Sequence, residues 1–250
     1  MSLDPLVLLA LALTGFAAGF VDAIAGGGGL ITIPVLISFG LSPVAAFATN
    51  KVQSAVGTAI AVITYARGGF VDFRALFPTM LLGFGGSLLG ALSVKRVDTA
   101  LLDFLVPIAL IAIAAYFTFA PRLTDEDRHT RLSFALFAPA LGFAVGFYDG
   151  FFGPGTGSFL TLGFVALLGL GLTRAAGHTK AVNLMTNLGA LALFIPSGDV
   201  VWPAAAVMAL TQIAGGYLGA RVGMRFGARL IRPLVVGISV ILALRLLFFP

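Results

Sequence analysis

Long apolar stretches separated by short polar ones run through the whole chain, and they predict membrane-spanning helices. The apolar segments cover residues 6–25, 30–39, 44–65, 75–94 and 100–120, and then 132–152, 158–170, 174–195, 202–222 and 230–249. About 20 apolar residues in a helix cross the roughly 30 Å hydrocarbon core of a bilayer. The segments lack the period-two alternation of barrel strands, which favours helices. The second segment of each series is too short to span.

Both series contain a predicted helix break at matching places. An apolar helix runs through Asp22 into four glycines at 26–29, and Asp149 precedes the sequence Gly153-Pro154-Gly155. Each glycine lowers helix propensity by about 1 kcal/mol relative to alanine, so the helices should end there. Further residues recur at constant spacing, namely Lys51, Tyr65, Gly69, Gly86 and Gly90 with Lys180, Phe194, Gly198, Gly215 and Gly219. Duplication with interrupted helices is typical of transporters whose substrate lies between the halves.

The duplication divides the chain into a first membrane repeat at 1–120, a connecting loop at 121–131 and a second repeat at 132–250. An odd number of crossings per repeat inverts the second repeat and places most of the 15 Lys and Arg residues on one side. Positively charged loops face the cytoplasm, so the connecting loop is expected there and both termini outside. We predict an all-α polytopic membrane protein with two pseudo-symmetric, inverted repeats whose broken or re-entrant helices meet at mid-membrane.

Composition narrows the function further. Hydrophobic residues make up 59% of the chain and charged residues 10%, against about 25% charged in soluble domains. The chain has no cysteine, and its two histidines, His129 and His178, form no metal-ligand cluster, so we expect neither a metal nor a cofactor. The net charge of +5 lies in short loops, which indicates orientation in a lipid bilayer rather than nucleic-acid binding.

Lys51 and Lys180 are the most informative pair of residues. Each follows a short polar cluster and opens a long apolar helix with no adjacent acid. A lysine at a helix N-terminus adds its charge to free backbone N–H groups and to the positive end of the helix dipole, which favours an anion. Alternatively, both lysines extend to the lipid headgroups, the commoner fate of a lysine at a helix end. The repeat and the neighbouring glycine breaks favour the binding site.

Polar residues and bare backbone near the lysines complete the predicted substrate site. The set, besides the two lysines, is Asn50, Gln53, His178, Thr179, Asn183, Gly27, Gly28, Gly155 and Thr156. The polar side chains either contact the substrate or form interhelical hydrogen bonds. The glycine stretches expose N–H groups that suit an oxyanion. A lone histidine such as His178 is more often a hydrogen-bonded structural group, although it would titrate near neutral pH if water reached it.

Asp22 and Asp149 lie within apolar segments, where ionisable groups are costly and usually functional. One hypothesis is that they carry protons and couple them to transport. The other, which we favour, is that they neutralise the lysines and cap the broken helices, since a carboxylate accepts hydrogen bonds from exposed N–H groups.

The motifs around these residues resemble those of the sulfite exporter TauE/SafE family, also called TSUP, of bacterial membrane transporters. The similar stretches are Gly19-Phe-Val-Asp-Ala-Ile-Ala-Gly-Gly-Gly-Gly29, Leu30-Ile-Thr-Ile-Pro34, Ala48-Thr-Asn-Lys51 and a looser second-half version through Gly153 and Gly177-His-Thr-Lys180. The resemblance covers nearly the whole chain. It implies transport of sulfur-containing anions such as sulfite, sulfoacetate or other organosulfonates, commonly as export.

The resulting prediction is a secondary transporter in the bacterial inner membrane, not an enzyme, that works by alternating access around a lysine-lined anion site. Its expected partners are a small anionic substrate and the bilayer. A passive anion channel built on the same repeat is an open alternative. A second alternative is an intramembrane aspartyl protease that uses Asp22 and Asp149, because such enzymes need one protonated and one ionised acid. Neither aspartate follows the Gly-x-Gly pattern of those enzymes, which argues against it.

Overall fold

The computed structural model describes residues 4–93, 111, 115, 119, 124–128 and 132–248. Each of the nine apolar segments predicted within this part of the chain is helical. The helices are α1 (Pro5–Ala25), α2 (Gly28–Ser38), α3 (Pro43–Arg67), α4 (Phe73–Ser93), α5 (Phe134–Phe151), α6 (Thr156–Leu162), α7 (Leu172–Phe194), α8 (Trp202–Phe226) and α9 (Ala228–Phe248). A π-helical turn, Gly163–Leu167, extends α6. The predicted segment 100–120 and the bounds of the connecting loop lie outside the described residues, apart from positions 111, 115 and 119, which are helical.

Three of the described helices are long and apolar enough to cross a membrane. They are α1 and α4, with 21 residues each, and α5, with 18 residues. The apolar helices α2 and α6, the latter counted with its π-helical turn, are shorter, as the sequence predicts.

Local capping signals fix where α3 and α4 begin. The Ser42 hydroxyl accepts a hydrogen bond from the Ala45 N–H at 3.3 Å, and Pro43 follows at the start of α3, where its missing N–H costs nothing. The Asp72 carboxylate accepts from the Ala75 N–H at 3.0 Å ahead of α4. This hydrogen bond lowers the pKa of Asp72 below its usual value because it favours the ionised carboxylate.

The first glycine break folds the chain back on itself. Gly26 and Gly27 have φ of 78° and 100°, a left-handed conformation that glycine adopts without steric cost. After the break, α2 packs along α1, and Leu36 of α2 shares a buried cluster with Leu11 of α1. The helices α1 and α2 therefore form a hairpin, with the glycines at its tip.

The second break forms a similar hairpin from α5 and α6. Gly153 and Gly155 have φ of 90° and 87°. Gly163, directly after α6, packs so closely on the Leu141 side chain of α5 that a Cβ there would force this side chain to move. The tips of the two hairpins touch, because a Cβ placed on Gly26 would lie 2.5 Å from the Cα of Gly157.

Glycines also allow close packing between the two parts of the chain, by which we mean the helices before the connecting loop (α1–α4) and those after it (α5–α9). On α8, Gly219 lies against the Phe20 carbonyl of α1, whereas Gly15 of α1 lies against the Met208 backbone nearer the start of α8. This order means that α1 and α8 run parallel. Small residues at such contacts let backbones approach closely and gain van der Waals energy.

The α4–α5 pair packs in the same manner. Gly86 of α4 lies against the Phe143 carbonyl of α5, and Gly90 lies one turn further along, against the Phe147 carbonyl. These two helices also run parallel. The first helix of each part therefore packs on the fourth described helix of the other part.

Several loops gather at one end of the helices. In the connecting loop, Asp125 accepts hydrogen bonds from the Thr173 hydroxyl at 2.6 Å and from the Ala228 N–H at 3.0 Å. The Phe70 carbonyl, in the loop after α3, lies 3.1 Å from Nδ1 of His178 near the start of α7. The end of α3, the starts of α7 and α9 and the described part of the connecting loop thus share one end of the molecule.

Candidate functional site

The two lysines and the two aspartates form two buried ion pairs, and each pair joins the two parts of the chain. The Lys51 Nζ of α3 lies 2.7 Å from Oδ2 of Asp149 on α5, and both side chains are 3% exposed. The Lys180 Nζ of α7 lies 3.1 Å from Oδ2 of Asp22 on α1, with exposures of 1% and 13%. Each lysine is thus neutralised by a carboxylate from the other part.

The second oxygen of each aspartate binds the start of the short helix beyond its own break. Oδ1 of Asp22 accepts from the Gly28 N–H at 3.2 Å, at the first residue of α2. Oδ1 of Asp149 accepts from the Thr156 hydroxyl at 2.7 Å, at the first residue of α6. Asp22 and Asp149 therefore each tie a helix break of their own part to a lysine of the other part.

A cavity of about 30 Å³ lies between the ion pairs and the hairpin tips. Its lining consists of polar side chains and glycines: Asp22, Gly27, Gly29, Asn50, Lys51, Ser54, Asp149, Gly153, Gly155, Thr156, Gly157, Asn183 and Asn187. The volume is far below the roughly 300 Å³ at which pockets for drug-sized ligands begin. A cavity of this size and polarity suits an ion of few atoms.

Hydrogen bonds hold the residue before each lysine in equivalent positions. The Thr32 hydroxyl of α2 donates to Oδ1 of Asn50, which also accepts from Nε2 of Gln53 at 2.9 Å. The hydroxyls of Thr161 on α6 and Thr179 on α7 lie 3.2 Å apart. In both parts, the short helix after the break is thus bonded to the helix that carries the lysine.

The structure brings some of the predicted site residues to the cavity and leaves others behind it. Those that line it are Lys51, Asn50, Asn183, Gly27, Gly155 and Thr156, together with both aspartates. Those that do not are Lys180, Gln53, Thr179, Gly28 and His178. Of this second group, Lys180 and Gly28 still contact Asp22, a lining residue.

The surroundings of His178 are not those of a substrate ligand. Its ring packs edge-on against Phe134 and Phe164, and its Nδ1 faces the Phe70 carbonyl. Successive helix positions point about 100° apart, so a residue two positions before Lys180 faces the other side of α7. The position of His178 is that of a buried, hydrogen-bonded structural group.

Ser54 and Asn187 are the lining side chains that the predicted set lacks, and Ser54 is not among the polar residues that the sequence singles out. It stands one helical turn after Lys51, just as Asn183 stands one turn after Lys180. The repeat spacing that relates the two lysines therefore also relates Ser54 to Asn183, so this spacing identifies Ser54 as a candidate site residue from the sequence. Gly29, Gly153 and Gly157 also line the cavity, as backbone of the two breaks.

The arrangement of the aspartates differs from that of an acid pair that cuts peptides. Aspartic proteases need two carboxyl groups close enough to share one proton. Here each carboxyl contacts a lysine instead. Among the residues that the structure describes, no group of three or more His, Asp or Glu side chains could hold a metal ion.

Comparison with known proteins matches residues 11–246 to the family described as sulfite exporter TauE/SafE. The chain is 43% identical to the probable membrane transporter protein ORF9 of a Sinorhizobium species, over 98% of this chain and 94% of that protein. It is 44% identical to a probable membrane transporter protein of Haemophilus influenzae, over 94% and 92% of the two chains. Its identity to the probable membrane transporter protein YfcA of Escherichia coli K12 is 42%, over 98% and 91%.

These matches cover almost the full length of both partners and confirm the resemblance that the glycine and lysine motifs indicate. The chain is a multi-pass membrane transporter rather than an enzyme, and it belongs to the TauE/SafE sulfite exporter family.

Proposed function

We propose that this protein is a secondary transporter that exports small sulfur-containing anions, such as sulfite, sulfoacetate or other organosulfonates, across a bacterial plasma membrane. Alternating access takes place around the cavity between the hairpin tips. Lys51 and Lys180 supply the positive charge, and the amides and hydroxyls around them supply further hydrogen bonds. The proposal rests on the two buried ion pairs, each of which joins a lysine of one part of the chain to an aspartate of the other.

The crossed pairing connects substrate binding to movement of the halves. An anion that binds a lysine competes with the carboxylate that the lysine already contacts. Because that carboxylate belongs to the other half, its release removes a contact between the halves. Rocking of one repeat against the other around a fixed central site is the common mechanism of transporters with inverted repeats.

The donors around the cavity favour an oxyanion as cargo. The lining includes Lys51, the hydroxyl-bearing residues Ser54 and Thr156 and the amide-bearing residues Asn50 and Asn183. Sulfite and sulfonate groups present several acceptor oxygens on one small centre, so they match a ring of short-range donors. The name of the family points to the same class of cargo.

Two inverted repeats, at 1–120 and 132–250, explain the direction of the equivalent helices. The end of α3 contacts the start of α7, so the third helices of the two parts run in opposite directions. The paired contacts of Thr32 with Asn50 and of Thr161 with Thr179 follow the same repeat. The reciprocal packing of α1 on α8 and of α4 on α5 supports this symmetry.

Transport into proteoliposomes tests the proposal. Purified protein is reconstituted, and uptake of radiolabelled sulfite, sulfoacetate and taurine is measured beside a neutral sugar. We expect saturable uptake of sulfur anions, accelerated by unlabelled anion on the opposite side, and no sugar uptake. Uptake that grows linearly with concentration, together with unitary currents in a planar bilayer, would instead identify a channel. Absence of any anion flux would contradict the proposal.

A further inference from the structure

We propose that the cargo crosses together with protons, one for each of its negative charges, and that Asp149 and Asp22 carry them. This inference rests on the proposed function and deepens it by naming the co-transported ion. It follows from the charges around the cavity, which already cancel in the structure.

The buried charges near the cavity are two lysines and two aspartates, each in an ion pair. Three other buried or partly buried titratable side chains on these helices bind backbone carbonyls. The Tyr65 hydroxyl donates to the Ala23 carbonyl, the Tyr148 hydroxyl donates to the Pro154 carbonyl, and His178 faces the Phe70 carbonyl. Of the cations in the described part of the chain, Lys51 is the one that lines the cavity, and Lys180 contacts the lining residue Asp22.

An anion that binds Lys51 leaves the Asp149 carboxylate without its partner. A buried charge without a partner is strongly unfavourable, and such a group becomes neutral instead. The carboxylate therefore takes up a proton from water as the anion replaces it at the lysine Nζ. When the anion is released, the proton also leaves and the carboxylate returns to the lysine. One proton has then crossed the membrane for each negative charge of the anion.

The order of the two sites follows from their positions. Lys51 and Asp149 both line the cavity, whereas Lys180 lies behind Asp22. The first negative charge of the cargo therefore displaces Asp149, and a second displaces Asp22. A monoanionic sulfonate takes up one proton, and the dianion of sulfoacetate takes up two.

Calorimetry on the purified full-length protein counts these protons. Methanesulfonate is the first probe, because its charge does not change between pH 5 and pH 8, and sulfoacetate is the second. Titrations near neutral pH in buffers of different ionisation enthalpy give the number of protons taken up per bound anion. We expect one proton per bound methanesulfonate and two per bound sulfoacetate. Because binding takes up one proton, the methanesulfonate affinity should fall about tenfold for each unit by which the pH rises. Binding without proton uptake, or binding that requires sodium instead, would overturn the inference.

Variants assign the proton to a residue. Asp149→Asn keeps the shape of a protonated aspartate. At pH 5, which keeps the unpaired lysine of this variant charged, it should still bind methanesulfonate but take up no proton. The control Asp127→Asn removes an aspartate from the half-exposed pair with Arg174 and should leave the proton count at one. An unchanged count in Asp149→Asn would exclude Asp149 as the carrier. If that variant fails to fold, the number of protons that wild type takes up still tests whether protons accompany the anion. Absence of binding at any pH would contradict the proposed function itself.

Discussion

At the scale of single residues, the ionisable groups of this protein act as pairs rather than as separate charges. A lysine inside a membrane protein is costly unless it finds an opposite charge. Lys51 finds one in Asp149, and both side chains are almost fully buried. The apolar segments show where these residues lie along the chain, but only packing between the two parts decides which aspartate meets which lysine.

The first prediction concerns the loss of one partner. Lys51→Ala leaves the Asp149 carboxylate buried and unpaired, so it should lower the free energy of unfolding by about 3–5 kcal/mol. The matched control is Arg174→Ala, which breaks the half-exposed pair with Asp127 and should cost less than about 1 kcal/mol. Thermal denaturation in one detergent compares the two variants. Adding Asp149→Asn to Lys51→Ala should restore part of the loss, and equal shifts in Lys51→Ala and Arg174→Ala would contradict the importance of burial.

At the scale of elements, glycines determine both the helix breaks and the helix contacts. Gly26 needs its left-handed φ and also lies against Gly157 of the second hairpin. Gly86 needs only the missing side chain, because it lies against the Phe143 carbonyl within regular helix. The same residue type thus has two separate structural roles in one chain.

The second prediction separates backbone strain from crowding at the hairpin tip. Gly26→Ala introduces both, whereas Gly40→Ala introduces strain alone, because Gly40 has φ of 88° but no atom near the position of a Cβ. We expect Gly40→Ala to lower stability by about 1–2 kcal/mol and to retain transport. Gly26→Ala should lower stability further and abolish transport, as proteoliposome uptake would show. If the two variants have equal stability and equal transport, the contact between the hairpin tips is not required for either property.

The third prediction concerns two neighbouring glycines of α4. Gly86→Ala forces a Cβ onto the Phe143 carbonyl and should weaken the contact between α4 and α5. Gly85→Ala points into open space and should raise stability by up to about 1 kcal/mol, because alanine favours helix. Thermal denaturation measures both. A stabilised Gly86→Ala variant would show that the close approach is not required.

At the scale of the whole molecule, the described helices α1–α4 and α5–α9 each contain a hairpin, the two hairpins touch at their tips, and two ion pairs join the two groups of helices. The loop after α3, the connecting loop and the start of α7 lie at one end. The loop after α7 lies at the other, where the Val201 N–H donates to the Thr49 hydroxyl near the start of α3. Membrane orientation is then the remaining global property to test.

The fourth prediction is the side of the membrane that each end faces. The chain contains no cysteine, so single cysteines can be introduced without a background signal. In intact cells, an impermeant maleimide should label Ser38→Cys and Ser197→Cys but not Glu126→Cys in the connecting loop. Permeabilised cells provide the control, since all three should then react. External labelling of Glu126→Cys would reverse the orientation.

Sequence predicts the elements of this protein better than it predicts their partnerships. Apolar runs and glycines predict every described helix and both breaks, because these depend on local propensity and length. The repeat spacing identifies the lysines and, through Asn183, could have identified Ser54. His178 is in the predicted set, although the sequence also favours a structural role for it, and the structure places it away from the cavity lining, because a neighbour along the chain need not share a helix face. The sequence does not show which lysine pairs with which aspartate, since this depends on contacts between helices that are distant along the chain.

The most direct test of the account is a calorimetric titration of the purified protein with sulfite, sulfate, sulfoacetate, taurine and a neutral sugar. Wild type is compared with Lys51→Ala/Asp149→Asn and Lys180→Ala/Asp22→Asn, which remove each buried pair without leaving a lone charge. Arg174→Ala/Asp127→Asn removes the half-exposed pair and is the control. We predict that wild type and control bind at least one sulfur oxyanion but not the sugar, and that both buried-pair variants lose this binding while remaining folded. Normal anion binding in both variants would contradict the assignment of the site.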